Sequence, residues 1–313
     1  MKIITLLAGA FTLVAGAATA EVAALGSTAT GGTSEIGRTM AAAVSEASPL
    51  QLRPQELANT ADYIPLVNSG EIEFGIANVV QYSYAVSGTG MSEGRPNPNM
   101  RMAATLMPFR VSYIVRRDSD INSLADLAGK RVPSFSEGAL GDFVNKAFLG
   151  TAGLTMADVE EVPVPNFPRM WASFAEGSSD VAIFVVGAAN SREFDATFGI
   201  RYLSFEDTPE ALVALNEFLP QAYFAALTAD SGIPGVTEPT NINVFDYVFF
   251  ASAEVSDDMV YTAVKALWEK EADLLAGGPF WDGFEKERMG LANGNEYHPG
   301  AIRFYQEMGV WNQ

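Results

Sequence analysis

Beyond residue 20 the chain alternates between two hydrophobic rhythms. Short runs of β-branched and apolar residues predict strands at Val22–Gly26, Leu50–Leu57, Phe74–Asn78, Val111–Arg116, Arg131–Phe135, Glu161–Val164, Val181–Val186, Arg201–Phe205 and Tyr247–Ala251. Between them apolar positions recur at helical spacing. The clearest helices are Ser34–Ala47, Asp62–Asn68, Leu140–Phe148, Pro168–Glu176, Pro209–Phe218, Asp257–Leu275 and Pro299–Met308. Strand and helix in alternation predict an α/β fold, a mainly parallel sheet covered by helices.

One stretch echoes another. Val67-Asn68-Ser69-Gly70-Glu71-Ile72-Glu73-Phe74-Gly75-Ile76 and Phe174-Ala175-Glu176-Gly177-Ser178-Ser179-Asp180-Val181-Ala182-Ile183 both read as helix, glycine cap, acid and buried strand. Their spacing fits one small α/β unit in each of two lobes, although a helix–glycine–strand connection is common enough to arise independently. The Gly/Pro/Asn-rich stretches Ser87–Met100 and Ala229–Thr240 read as surface loops. Strongly apolar segments flank both closely, so the lobe crossings are expected instead near Phe109–Arg116 and Tyr202–Phe205. That divides the chain into residues 21–109 and 206–313 for one lobe and 110–205 for the other.

Composition adds a compartment and removes several partners. Lys2, the apolar run Ile3–Ala15 and the ending Ala18-Thr19-Ala20 predict a secretory leader over residues 1–20, cleaved to expose Glu21. About 290 residues remain, comfortable for two domains. The chain has no cysteine, which removes a lipid anchor after the leader together with disulfide and thiol chemistry. A free periplasmic protein is expected. Lys plus Arg number 19 against 38 acidic residues, and loss of Lys2 takes the net charge from −19 to −20. Such a surface repels phosphate backbones and anionic lipid, so neither nucleic acid nor direct membrane insertion is expected.

Five segments, spread over nearly the whole mature chain, carry a family resemblance. They are Thr30-Gly31-Gly32-Thr33, Asn68–Gly75, Ile121–Val132, Val255-Ser256-Asp257-Asp258-Met259-Val260-Tyr261 and Tyr297-His298-Pro299-Gly300-Ala301. In order and spacing the chain resembles the TAXI class of solute-binding proteins, which serve tripartite ATP-independent periplasmic (TRAP) transporters. The third segment is shared with many periplasmic binding proteins. The resemblance implies a two-lobed clamshell of the type II periplasmic-binding-protein kind, with a ligand in the central cleft and delivery to an ion-coupled permease. The chain departs from the family's pattern at Ser34 and Glu35, where aromatic residues are usual, and at Ser134–Ala139, where a Gly/Ser-rich turn is common. Both departures fall where the ligand should sit.

In open α/β lobes ligands bind beyond the carboxyl ends of the strands, where helix N-termini point into the crevice. Ser27, Thr28, Thr30, Gly32, Thr33 and Ser34 occupy such a position after the first strand, with Thr33 or Ser34 equally suited to cap the next helix. Ser134, Ser136, Glu137 and Ala139 occupy the corresponding loop of the other lobe. Asn59, Thr60, Asn78 and Gln81 begin helices after strands and could contact ligand or cap. For an anionic ligand Arg110 and Arg169 are candidate forks, with Phe167, Trp171 and Phe184 as possible walls. Glu35 and Glu137 would suit an ammonium group.

Catalysis lacks a constellation. Gly90-Met91-Ser92-Glu93-Gly94 matches a nucleophile-elbow pattern but lies in a Gly/Pro/Asn loop without the strand-turn-helix setting that motif needs. The lone histidine, His298, precedes Pro299 at a helix start, where capping or packing is its expected role. Asp118-Ser119-Asp120-Ile121-Asn122 opens like a calcium loop, yet its sixth position is Ser123 and its twelfth Gly129; Ser123 and Asp126 instead read as a capping box. No cofactor and no metal are expected. The sequence thus reads as a non-enzymatic protein whose lobes close on a small organic anion: a carboxylate, an oxoacid or a glutamate-like amino acid. TRAP permease subunits are the expected partners, and reporting solute to a signalling receptor is the alternative.

Overall fold

A computed structural model describes residues 21–229 and 231–311; the expected leader at 1–20 lies outside the described residues. The chain runs β1 (Glu21–Thr28), α1 (Gly32–Ala47), β2 (Leu50–Leu57), α2 (Thr60–Asn68), β3 (Phe74–Asn78), α3 (Val79–Ser87), β4 (Met100–Arg116), β5 (Arg131–Ser134) and α4 (Leu140–Gly150). It continues through β6 (Glu160–Pro163), α5 (Phe167–Ala175), β7 (Val181–Val185), α6 (Ala189–Phe198), β8 (Ile200–Tyr202), α7 (Pro209–Phe218) and β9 (Tyr223–Leu227). It closes with β10 (Thr240–Ser252), α8 (Asp257–Glu269), α9 (Glu271–Leu275) and α10 (Pro299–Glu307).

Two long strands hold the architecture together. β4 and β10 pair antiparallel from Met100↔Ser252 to Val111↔Asn243. At one end β3 pairs with β10 and carries β1 and then β2 in parallel register. At the other end β7 and β8 pair with β4, and β9 pairs with Thr240–Val244 of β10. The ladder shifts register between Asp246 and Val248, where the chain passes from one half to the other. Such a bulge twists and bends a strand locally.

The sheet is therefore mixed rather than mainly parallel, and the second crossing is β10, not Tyr202–Phe205. β8 is three residues long and only extends the outer end of β4, while Phe205 N–H donates to Asn241 O at 2.9 Å. The expected boundary after residue 205 is displaced for the same reason. α7 packs on α4, and β9 adds to the first part of β10, so the chain from Glu206 to Val244 keeps company with the second half.

The two sequence echoes fold alike. Gly70 and Gly177 both adopt φ 77°, ending α2 and α5, a conformation that glycine takes without steric cost. The acid before each strand then accepts a hydrogen bond from the neighbouring strand. Glu73 Oε2 takes Ala24 N–H at 2.7 Å, and Asp180 Oδ2 takes Arg131 N–H at 2.8 Å. The strand order β2-β1-β3 in one half is thus repeated as β6-β5-β7 in the other, with β5–β6 parallel and Asp180 joining β5 to β7.

Two of the segments that carry the resemblance dock on each other. Ser256 Oγ caps α8 by accepting Met259 N–H at 3.2 Å, and His298 caps α10 by accepting Gly300 N–H on Nδ1 at 3.2 Å. A backbone N–H can only donate, so Nδ1 is unprotonated and Nε2–H donates to Val255 O at 3.0 Å. Burial holds the His298 pKa below its usual value, with Asp257 and the Val255 bond opposing. A depressed histidine leaves the folded state under-protonated as the unfolded chain binds protons. Its stabilisation is present above the unfolded value of 6.5 and is lost as pH falls towards the folded one. His298→Gln should therefore flatten the part of the wild-type stability decline just below pH 6.5, measured by urea unfolding at stepped pH.

Candidate functional site

Each half sends the loops after two parallel strands to the gap between the halves. From the first half come the ends of β1 and β2, with Thr28, Thr30, Asn59, Thr60 and Ala61. From the second come the ends of β5 and β6, with Phe135, Gly138, Ala139, Leu140, Gly141, Asn166 and Phe167. These loops enclose a cavity of about 430 Å³, which Ile64, Gln81, Met91 and Ser92 complete.

Local chemistry sets which side chains reach it. Thr28 Oγ1 donates to Thr30 O at 2.9 Å and stiffens the β1 loop, whose turn uses Gly31 at φ 82°. Asn59 and Asp62 form a reciprocal capping box on α2, with Asn59 N–H donating to Asp62 Oδ2 at 2.9 Å. On α5, Asn166 Oδ1 accepts Arg169 N–H at 3.0 Å. α4 has no side-chain cap, so the N–H groups of Leu140 and Gly141, in its first turn, have no intrahelical acceptor. Gly141 leaves room for the Phe135 ring, whose atoms lie 2.5 Å from where a Cβ would stand. Phe135 in turn meets Phe167 with ring centroids 5.0 Å apart.

Of the candidates read from sequence, Thr28, Thr30, Asn59, Thr60, Gln81, Ala139 and Phe167 line this cavity. The others have different occupations. Gly32 packs beneath Phe280, Thr33 shares a hydrogen bond with Tyr247 OH at 2.7 Å, and Ser34 Oγ faces Ala29 O and Glu56 at 3.4 Å. Ser27 is buried against Gly37, and among the described residues its hydroxyl has no partner. Asn78 caps α3 by accepting Gln81 N–H at 2.9 Å and holds Gln81 Oε1 at 2.6 Å. Ser134 is buried at the end of β5, while Ser136 and Glu137 are exposed outside the lining.

Neither arginine enters. Arg169 pairs loosely with Glu176 at 3.8 Å, and Arg110 lies at a small recess near the crossing with Phe280 and Asp282. Trp171 and Phe184 pack as tilted rings behind Phe167 rather than on the cavity. Sequence reasoning passed over Ile64, Met91, Leu140, Gly141 and Asn166. For Asn166 the signal was present, an asparagine two residues before Pro168 at a helix start. Ser92, dismissed as a nucleophile, lines the cavity without a base on its hydroxyl among the described residues, and His298 is held at Val255.

Beside α3 the halves touch directly. Tyr84 OH donates to Phe218 O at 3.0 Å, and Gln221, at φ 66°, donates to Ser83 Oγ at 3.0 Å. A second cavity of about 540 Å³ lies by this seam, bounded by Val79, Tyr223, Asp246 and Arg288. Asp246 accepts from Tyr223 OH at 3.2 Å and from Arg288 Nη2 at 3.2 and 3.3 Å. Burial pushes its pKa up, against the pull of Arg288 and Tyr223. Among the described residues no group of three or more His, Cys, Asp or Glu side chains is arranged to hold a metal ion, and no helix is long and apolar enough to cross a membrane.

A family model described as the NMT1-like family matches residues 25–309. Among solved structures, a TctC solute binding protein from Polaromonas is 15% identical, with 85% of this chain and 90% of that one covered and a TM-score of 0.56. The periplasmic aliphatic sulphonate binding protein SsuA from Escherichia coli is 17% identical over 82% of this chain and 74% of its own, at 0.53. An ancestral arginine-binding protein bound to arginine is 14% identical over 82% of this chain and 94% of its own, at 0.50. At such identities the shared property is the fold.

Proposed function

The chain belongs to the NMT1-like family, and from that premise we propose that it is a periplasmic, non-enzymatic solute-binding subunit of the TAXI class. It captures a small organic anion between its halves and delivers it to the membrane permease of a TRAP transporter. The observation that carries this reading is the convergence of strand-end loops from both halves on one cavity.

The mechanism follows from where the flexible joint and the donors sit. β4 and β10 are the strands that join the halves, and the bulge at Asp246 breaks their ladder between them. Rotation there brings the α4 start of one half towards Thr28 and Thr30 of the other, with the solute between and water excluded. Each buried hydrogen bond to a charged oxygen contributes about 1.5 to 3 kcal/mol. Three or four such bonds sum to about 4.5 to 12 kcal/mol, and since association itself costs several kcal/mol, micromolar affinity also needs burial of the solute's apolar part against the wall. The permease then reads the closed shape, because only closure fixes the two halves in one relation.

A thermal-shift screen of residues 21–313 against carboxylates, oxoacids, amino acids and sulfonates tests the reading. A true ligand at 100 times its Kd adds about 2.7 kcal/mol of stability. Ala61→Phe, at an exposed first-turn position of α2, should fill the cavity and abolish that gain while the unliganded protein melts as before. Uptake by TRAP membrane subunits in proteoliposomes should require the protein. A screen without a hit, or a hit indifferent to Ala61→Phe, overturns the assignment of this cavity.

A further inference from the structure

The lining of the inter-half cavity is uncharged: among the described residues that form it there is no Lys, Arg, His, Asp or Glu. Its polar groups are hydroxyls, amides and the open backbone N–H groups at the start of α4. Ile64, Met91, Phe135, Leu140 and Phe167 supply an apolar wall. We infer that the solute is a monoanion with an aliphatic body, a medium-chain carboxylate or sulfonate, and not a dicarboxylate or an amino acid. The inference rests on the solute-binding reading above and narrows its ligand.

Charge accounting leads there. One anionic head can be held by dipoles, since N–H groups and hydroxyls donate to it without a counter-ion. A second charge has nothing to meet. Asp62 sits behind the α2 cap and Asp142 behind the α4 start, where it accepts Gly138 N–H at 3.0 Å and pairs with Lys146 at 2.9 Å. Both carboxylates are engaged at these caps and neither reaches the lining, so neither offers a counter-charge to a cationic group of the solute. An ammonium would be buried without a carboxylate in the lining, and a buried unpaired charge is strongly unfavourable. The half-buried ion pair Asp246–Arg288 borders the other cavity and is engaged with itself. An aliphatic body, by contrast, gains from every apolar wall residue it covers.

A matched six-carbon series tests this on residues 21–313 by isothermal titration at constant ionic strength. The probes are hexanoate, hexane-1-sulfonate, adipate, 6-aminohexanoate and hexan-1-ol. Hexanoate or hexane-1-sulfonate should bind at least tenfold more tightly than each of the other three, and Ala61→Phe should remove the binding. Met91→Arg, which places a cation in the wall from a half-buried position, should raise the affinity for adipate relative to hexanoate at least tenfold. Adipate or 6-aminohexanoate binding as tightly as hexanoate overturns the inference while solute capture stands. Hexan-1-ol binding equally overturns it too, because charge is then not read. An unchanged adipate-to-hexanoate ratio in Met91→Arg rejects the uncharged lining as the selector. Failure of all five probes also refutes it, and the broader screen above then decides separately whether any solute is captured.

Discussion

Arg288→Met is expected to destabilise the protein by about 3 kcal/mol at pH 7, because it strands a buried carboxylate without its cation. Asp246 is 8% exposed and lies at the bulge of β10, where the two halves part. Its partners come from both sides of that joint. Tyr223 opens β9 in the second half, and Arg288 adjoins Met289, whose carbonyl accepts Thr105 N–H from the first half's part of β4 at 2.9 Å. The triad therefore clamps the crossing, and methionine removes its only cation without opening a large void.

The pH dependence gives this prediction its sign. Burial already raises the folded pKa of Asp246 above the usual 3.8, and loss of Arg288 raises it further. A carboxyl whose folded pKa is raised favours folding when protonated. Its contribution is fully present below the unfolded value of 3.8 and is lost as pH rises through the folded value. The gap between wild type and Arg288→Met should thus be widest at neutral pH and narrow as acid protonates Asp246. Asp246→Asn combined with Arg288→Met should recover much of the loss at pH 7. Urea unfolding from pH 7 down to acid measures both, and a gap constant with pH would show that the loss is packing alone.

How much of this was legible depended on how far each residue's partner lies along the chain. Strands with local alternation or β-branching, such as Phe74–Asn78 and Val181–Val185, stood out, as did the glycine and acid that precede them. The first half of β4 did not. Met100-Arg101-Met102-Ala103-Ala104-Thr105-Leu106 is rich in helix formers and buried on both faces, so no period of two marks it. The early part of β10 differs, since Ile242 and Val244 alternate there with Asn241 and Asn243, but it directly follows the Gly/Pro-rich stretch Ala229–Thr240 and was passed over with it.

Within the cavity, the strand-end rule led from local signals alone to loops that line it, because backbone direction at a strand end follows from the strand. It could not sort the side chains in them. Thr33 turns away because Tyr247, 214 residues later, offers its hydroxyl, and Gly32 because Phe280 covers it. Arg110 and Arg169 were read as anion forks by residue type, whereas their position relative to the cavity depends on how the halves are joined. The charge-free lining is likewise a property of the assembled loops, since Glu35, Glu137, Asp62 and Asp142 all lie within a few residues of lining positions.

Gly300→Ala tests the opposite case, a residue whose motif was legible but whose role was not. Its segment, Tyr297–Ala301, contributed to the family resemblance, yet it lies against α8 and not at the cavity. A Cβ on Gly300 would stand 2.1 Å from the carbonyl oxygen of Asp257 and 2.8 Å from its carbon. These are backbone atoms in the first turn of α8, unable to swing aside as a side chain would. α10 must therefore back away, which strains the His298 cap and the Tyr305 hydroxyl bond to Ala103 O at 2.6 Å. Overpacking of this kind costs about 3 kcal/mol, and here it acts on helix propensity that alanine would otherwise improve by about 1 kcal/mol. The variant should lose stability in urea at every pH, unlike Arg288→Met, and should bind solute unchanged wherever it remains folded, since α8 and α10 hold no cavity residue. A Gly300→Ala protein as stable as wild type would mean that the two helices are not in the close contact on which this account of the motif depends.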